Sequence, residues 1–223
     1  MTEENKAVEK PKLLLAVINN MRYMPNYFFN SVIALANYCR QYFRCDLVNI
    51  NAYDVAIMRN LACKIAIDKE FDFIFMLDID MDYPMDSAFR LFRRWVEQGE
   101  PNSIMVGGAR TRAHPFKATQ FYQINSADFG GDENRVIPDI NSNKLIKIEG
   151  TGLVGALIPI NVLKDLDLPY FENLYKKDGT YIGEDINFCG KCKDKGVNIY
   201  LDPQVTYGHE VLKMVDRDGE RYV

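Results

Sequence analysis

Five consecutive apolar residues, Phe73 to Leu77, run straight into three alternating acids, Asp78, Asp80 and Asp82, in the stretch FIFMLDIDMDYP. A half-exposed strand alternates apolar and polar residues, so an unbroken apolar run reads as a strand covered on both faces. Ending that strand in carboxylates puts negative charge at the rim of the fold. The charge is costly there unless a cation or polar ligand meets it.

The preceding sequence supplies the partners such a strand needs. Leu13 to Ile18 is a second apolar run, closed by Asn19-Asn20. From Asn26 to Phe43, apolar residues fall at Phe28, Phe29, Val32, Ile33, Ala36, Cys39 and Phe43, the spacing of an amphipathic helix. Asp46 to Ile50 reads as a strand, and Asp54 to Lys69 as a helix with Ile57, Leu61, Ile65 and Ala66 on one face. The order β-α-β-α-β implies a mostly parallel sheet flanked by helices. Asp86 can cap a helix with Ala88, Phe89, Phe92, Trp95 and Val96 inward and its end near Gly99, and Ser103 to Val106 is a strand closed by Gly107-Gly108.

The pattern then loosens. Lys117 to Ile124 is a candidate strand, whereas Asn125 to Asn143 is rich in Asp, Asn, Gly and Ser and reads as a surface loop able to act as a lid. Arg110, Arg112 and His114, in TRAHPF, read as loop residues. Lys144 to Glu149 alternates like a strand, Gly150-Thr151-Gly152 is a turn, Leu153 to Ile158 is another apolar strand, and Asn161 to Leu166 is a short helix. Gly183 opens a helix with Glu184 and Asp185 in its first turn, which favours the helix dipole. Val197 to Leu201 and Gln204 to Tyr207 are short strands leading to Gly208-His209.

Composition narrows the function. The 223 residues include 13 Phe and 13 Tyr, enough for a substantial core without staples. A net charge of −4 with no long Lys/Arg block argues against nucleic acid as a ligand. No run approaches the roughly 18 apolar residues of a membrane span, and the polar start MTEENKAVEKPK is no signal peptide. The expectation is a soluble cytoplasmic protein, in the host cytoplasm if it is viral. Five cysteines, Cys39, Cys45, Cys63, Cys189 and Cys192, form no disulfide framework, and the single C-x-x-C lacks a second pair to complete a zinc site; free, buried thiols are expected.

In an open parallel sheet, ligands bind outside the carboxyl ends of the strands, where Asp78 and Asp80 lie. A D-x-D at that edge suits Mn2+ or Mg2+, hard cations that bridge to phosphate oxygens. Arg59-Asn60 before the acids, FIFMLDIDMDYP, the G-T-G turn, GEDINFC and the closing G-H together resemble the GT-A glycosyltransferases, particularly family 2 and its phage and large-virus relatives, from about Lys12 to His209. The resemblance implies a Rossmann-like α/β domain with a smaller mixed sheet in its C-terminal half. It also implies transfer of a sugar from a nucleotide diphosphate sugar, UDP-linked in preference, to a hydroxyl of a glycan or other acceptor.

By position, the resemblance makes Asp80 a metal ligand, Asp78 an acid facing the ribose or the metal, and His209 the distal metal ligand. Arg59 matches a basic residue near the base and phosphates, Asn19 a nucleoside contact, and Thr151 part of the donor or acceptor pocket. Asp185 matches the general base of inverting members, with Glu184 beside the acceptor. Where the family often reads uracil with an Asp, this chain has Asn49 and Asn51, of which Asn51 is the donor-site candidate. Asp82 reads as a turn residue. Two rival readings are a nucleotidyltransferase, disfavoured because INNMRYMPN has no glycine-rich phosphate loop, and a non-catalytic nucleotide-sugar binding module. The expected organisation is a disordered lead over 1–11 and one domain over 12–212. That domain divides into a nucleotide-binding half (12–108) and an acceptor half (109–212), followed by a tail at 213–223 that could lead to a further domain.

Overall fold

The computed structural model describes residues 9–21, 24–109, 121–122, 135–136, 142–177, 179, 181–210, 213–216 and 219–222. The first half runs β1 (Lys12–Asn19), α1 (Asn26–Cys39), β2 (Arg44–Asn51), α2 (Val55–Asp68), β3 (Phe73–Asp78), β4 (Met81–Asp82), α3 (Ser87–Gln98) and β5 (Ser103–Ala109). Short strands follow: β6 (Phe121–Tyr122), β7 (Arg135–Val136), β8 (Ile146–Ile148), β9 (Gly150–Thr151) and β10 (Ala156–Pro159). The chain continues through α4 (Ile160–Lys164), β11 (Leu174–Tyr175), β12 (Tyr181–Ile182), α5 (Glu184–Asp194) and β13 (Asn198–His209), then a hairpin of β14 (Lys213–Asp216) and β15 (Gly219–Tyr222). The expected loop at 125–143 falls mostly outside the described residues, as do Arg110, Arg112 and His114.

The central sheet has the order β2-β1-β3-β10-β5-β13-β4, with β8 on β13. β1 is parallel to β2 and β3, and β13 is parallel to β5, while β10 is inserted antiparallel between β3 and β5. Alternate residues of β1 and β3 feed two cores. Leu14, Ala16, Ile18, Ile74 and Met76 pack with residues of α2, α4 and α5 on one face. Leu13, Leu15, Val17, Phe73, Phe75 and Leu77 pack with residues of α1 and α3 on the other. That two-sided burial is why the opening run carries no polar residue. A separate antiparallel sheet has the order β7-β6-β9.

Several local expectations need correction. Helix α2 is rotated from its apolar pattern: Met58, Arg59, Ala62, Cys63 and Ala66 are buried, and Ile57 and Leu61 are exposed. Small side chains there let the helix lie close to the sheet. In α3, Leu91 is buried and Val96 exposed. Gly107 and Gly108 lie inside β5 instead of closing it, because a side chain at Gly107 would sit 2.6 Å from the Tyr207 ring. The two strands expected before Gly208 are one, β13, with a register shift between Leu201 and Thr206.

Candidate functional site

Parallel pairing aligns the carboxyl ends of the first three strands. Asn19 is paired with Asn51, and Ile18 with Asp78. Asn19 is buried, and its Oδ1 accepts from Met21 N at 2.9 Å; the Asn51 amide donates to the carbonyls of Asn19 (2.8 Å) and Met21 (3.3 Å). These bonds hold the turn after β1 against the end of β2.

Asp54 caps α2 by accepting from Ile57 N at 3.0 Å, and one turn on the helix drives Arg59 into the interior. The Arg59 Nη2 donates to both oxygens of Asp78, at 3.1 and 3.3 Å, and Nη1 donates to Glu184 Oε1 at 2.9 Å. Its carbon Cζ lies 5.8 Å from the centroid of the Phe171 ring, a cation–π distance. Nε has no hydrogen-bond partner among the described residues. Burial disfavours the guanidinium charge, but Asp78 and Glu184 outweigh it and push the group above its ordinary value. The Glu184 carboxyl is raised, first by burial and then by Asp185, with Arg59 opposing. Arg59 thus ties Asp78, at the end of β3, to the first turn of α5.

Asp185 stands between two glycines. A Cβ on Gly183 would lie 2.9 Å from its Oδ1, and one on Gly152 would lie 3.5 Å from its Oδ2. The carboxylate also accepts from Ile186 N at 2.7 Å. Thr151 is fully buried, with its hydroxyl bonded to the Gly152 carbonyl (3.0 Å) and its own carbonyl accepting from the Cys189 thiol of α5 (3.7 Å). All five cysteines are free thiols.

Asp80 and Asp78 part company. β3 ends at Asp78, a turn carries Ile79 and Asp80, and β4 then pairs antiparallel with the end of β13, Asp82 opposite Gly208 and Met81 opposite His209. Asp82 is therefore a strand residue, not the expected turn residue. This ladder, with Glu210 N bonded to the Asp80 carbonyl at 2.9 Å, brings His209 Nε2 to 3.7 Å from Asp80 Oδ2. Both side chains remain partly exposed. Among the described residues there is no group of three or more His, Cys, Asp or Glu disposed to hold a metal.

Three residues of the site were not anticipated. Tyr83, fully buried, accepts from Asp78 N at 2.8 Å, and its phenol is pushed up strongly by burial. Phe171 lies against Arg59. Asn173 accepts from Glu184 N at 3.1 Å and so caps α5 from outside the helix. Tyr83 adjoins the acids in sequence, but nothing in the spacing of Phe171 or Asn173 marks them.

No family model and no curated protein sequence matches this chain. Among solved structures it is similar to A197 from STIV, a viral protein, with a TM-score of 0.58 at 13% identity over 95% of this chain and 93% of that one. It is also similar to GalNAc-T7, a GT-A glycosyltransferase, with a TM-score of 0.56 at 10% identity over 89% of this chain and 43% of that one. The chain has the GT-A fold. At these identities the likeness is one of fold. Among the described residues, no helix is long and apolar enough to cross a membrane.

Proposed function

We propose that the chain is a metal-dependent glycosyltransferase that moves a sugar from a nucleotide diphosphate sugar, UDP-linked in preference, to a hydroxyl of a glycan acceptor. The observation that carries this reading is the meeting of Asp80 and His209, 129 positions apart in sequence, at the carboxyl rim of a GT-A sheet, in the turn that follows Asp78. A hard divalent ion binds oxygen or nitrogen at about 2.0–2.2 Å, and two such bonds span more than the 3.7 Å between Asp80 Oδ2 and His209 Nε2. Asp80 and His209 would be the residues to hold one Mn2+ or Mg2+, the carboxylate supplying oxygen and the imidazole nitrogen. Such ions commonly keep few protein ligands and complete their shell with water and substrate phosphate. GalNAc-T7, which shares the fold, was solved with UDP, GalNAc and Mn2+. When bound, the ion neutralises charge developing on the departing diphosphate.

The chain's own residues divide the remaining work. With its amide hydrogens spent on the Asn19–Met21 turn, Asn51 presents its carbonyl oxygen to the nucleoside, suited to an N–H donor such as that of uracil. Asp78, oriented by Arg59 and Tyr83, faces the ribose side. Asp185, held between Gly152 and Gly183 at the start of α5, takes the proton of the acceptor hydroxyl, and Glu184 positions that acceptor.

The test is calorimetric titration of nucleotide sugars with and without Mn2+, followed by product analysis. Asp80→Ala should abolish metal-dependent donor binding, and unchanged binding would refute the reading. Pyrophosphate formed from a nucleoside triphosphate and a sugar phosphate would instead identify a nucleotidyltransferase; donor binding without turnover would identify a binding module.

A further inference from the structure

The hairpin of β11 and β12 leads directly into the catalytic turn at Gly183. It carries two tyrosines that the donor site does not use. Tyr175 and Tyr181 face each other across the strand pair, 75% and 54% exposed, with ring centroids 5.3 Å apart and planes tilted by 52°. A large exposed aromatic pair is not needed for the core, and its orientation is secured from below. The Tyr181 hydroxyl donates to Asn173 Oδ1 at 2.8 Å, and the same oxygen accepts from Glu184 N. One amide thus sets both the ring of Tyr181 and the first turn of α5.

The pair is also close to the reacting carboxylates. A Cβ on Gly183 would lie 4.0 Å from Tyr181 Cε1 and 2.9 Å from Asp185 Oδ1, so ring and carboxylate border the same glycine. Glu184 shares the Asn173 oxygen with the Tyr181 hydroxyl, and Asp185 borders the same glycine as the ring, so two acids stand next to it. Open aromatic faces rimmed by carboxylates match one chemistry well: a sugar ring, whose C–H face packs on the aromatics while its hydroxyls donate to the acids. A cage for a cation would instead enclose its ligand on several aromatic sides.

We infer that Tyr175 and Tyr181 form the acceptor platform, and that the acceptor is a saccharide stacked on this hairpin with one hydroxyl directed at Asp185. The inference rests on the glycosyltransferase reading, and its test is separable from it. Purified protein is applied to an array of defined mono- and oligosaccharides, and the best-bound saccharide is then titrated by saturation-transfer NMR. Tyr175→Ala should weaken saccharide binding about fivefold to tenfold, whereas Tyr175→Phe, which keeps the ring, should restore it. Because Tyr175 is largely exposed, a urea midpoint equal to that of the unmodified protein accompanies the loss. Three results would each overturn the platform: no saccharide bound, equal binding by Tyr175→Ala, or capture of serine- and threonine-bearing peptides in place of saccharides. Titration of UDP-sugar with Mn2+ on the same preparation reports on the donor reading alone, so failure of one is not mistaken for failure of the other.

Discussion

Replacing Arg59 by Met keeps most of the apolar stem but removes the positive charge that bridges Asp78 and Glu184. The arginine side chain is 4% exposed, and its partners are 22% and 15% exposed. Removing one member of a buried ion pair costs about 3–5 kcal/mol, and since both carboxylates keep some contact with water the lower end applies, about 3 kcal/mol. The loss should depend on pH in a definite sense. Glu184 is raised by burial and held down by Arg59. A carboxyl raised in the fold is protonated more readily folded than unfolded. Its contribution to stability therefore falls as pH climbs from the ordinary value, about 4.3, to the folded value, and stays low above it. Without Arg59 the folded value climbs further. The deficit of Arg59→Met should accordingly be largest at pH 8 and shrink toward pH 5 as Glu184 takes up a proton. Urea denaturation followed by circular dichroism across that range measures it. A variant with the unmodified protein's stability at pH 8, or a deficit indifferent to pH, would refute the reasoning. Replacing Asp78 and Glu184 by Leu as well removes the stranded charges, and stability should then recover while donor turnover does not.

The other predictions concern glycines whose space is already taken. Gly155 has a φ of +57°, and a Cβ there would lie 2.4 Å from the buried Tyr207 ring, so Gly155→Ala should cost about 2–3 kcal/mol in urea denaturation. Tyr207→Phe loses only the bond to the Gly155 carbonyl, and should cost about 1 kcal/mol in the same measurement. At Gly183 the obstacle is the Asp185 carboxylate, so Gly183→Ala should lower the kcat of the proposed transfer about tenfold while donor affinity by calorimetry changes little, and an unchanged kcat would refute the proposed role of Asp185.

Where both faces of an element were covered, the sequence was a good guide. Phe73 to Leu77 could only be a two-sided strand, and the alternation of runs and helices gave the β1-β2-β3 order of connection. Where one face of a helix competes with another, it was not. Ile57 and Leu61 recur at helical spacing, yet they line a surface groove with Leu168, Pro169 and Tyr170, and the buried face holds small residues and an arginine. No hydrophobic pattern announces a buried guanidinium, because its place depends on acids that arrive from β3 and α5. Strand direction was equally hidden at β10, since a short apolar run reads the same in either sense. Gly107 looked like the end of a strand because the ring that requires its missing side chain lies at Tyr207, a hundred residues further on.

The D-x-D spacing illustrates the same limit at the site itself. In a continuing strand, residues two apart point to one face, so Asp78 and Asp80 would share an environment. The strand instead stops at Asp78, and the turn at Ile79 and Asp80 separates them: Asp78 engages buried Arg59, and Asp80 meets His209. What enforces the separation is the acid that resembled a spare turn residue. Asp82 pairs with Gly208, where a Cβ would come within 3.1 Å of the Asp82 Cβ, so a side chain there would push the two strands apart by a few tenths of an ångström. That pairing sets His209 opposite Met81 and within reach of Asp80. A bulkier residue at Gly208 would therefore disturb the proposed metal pair without touching either ligand, through the ladder that registers one half of the site against the other.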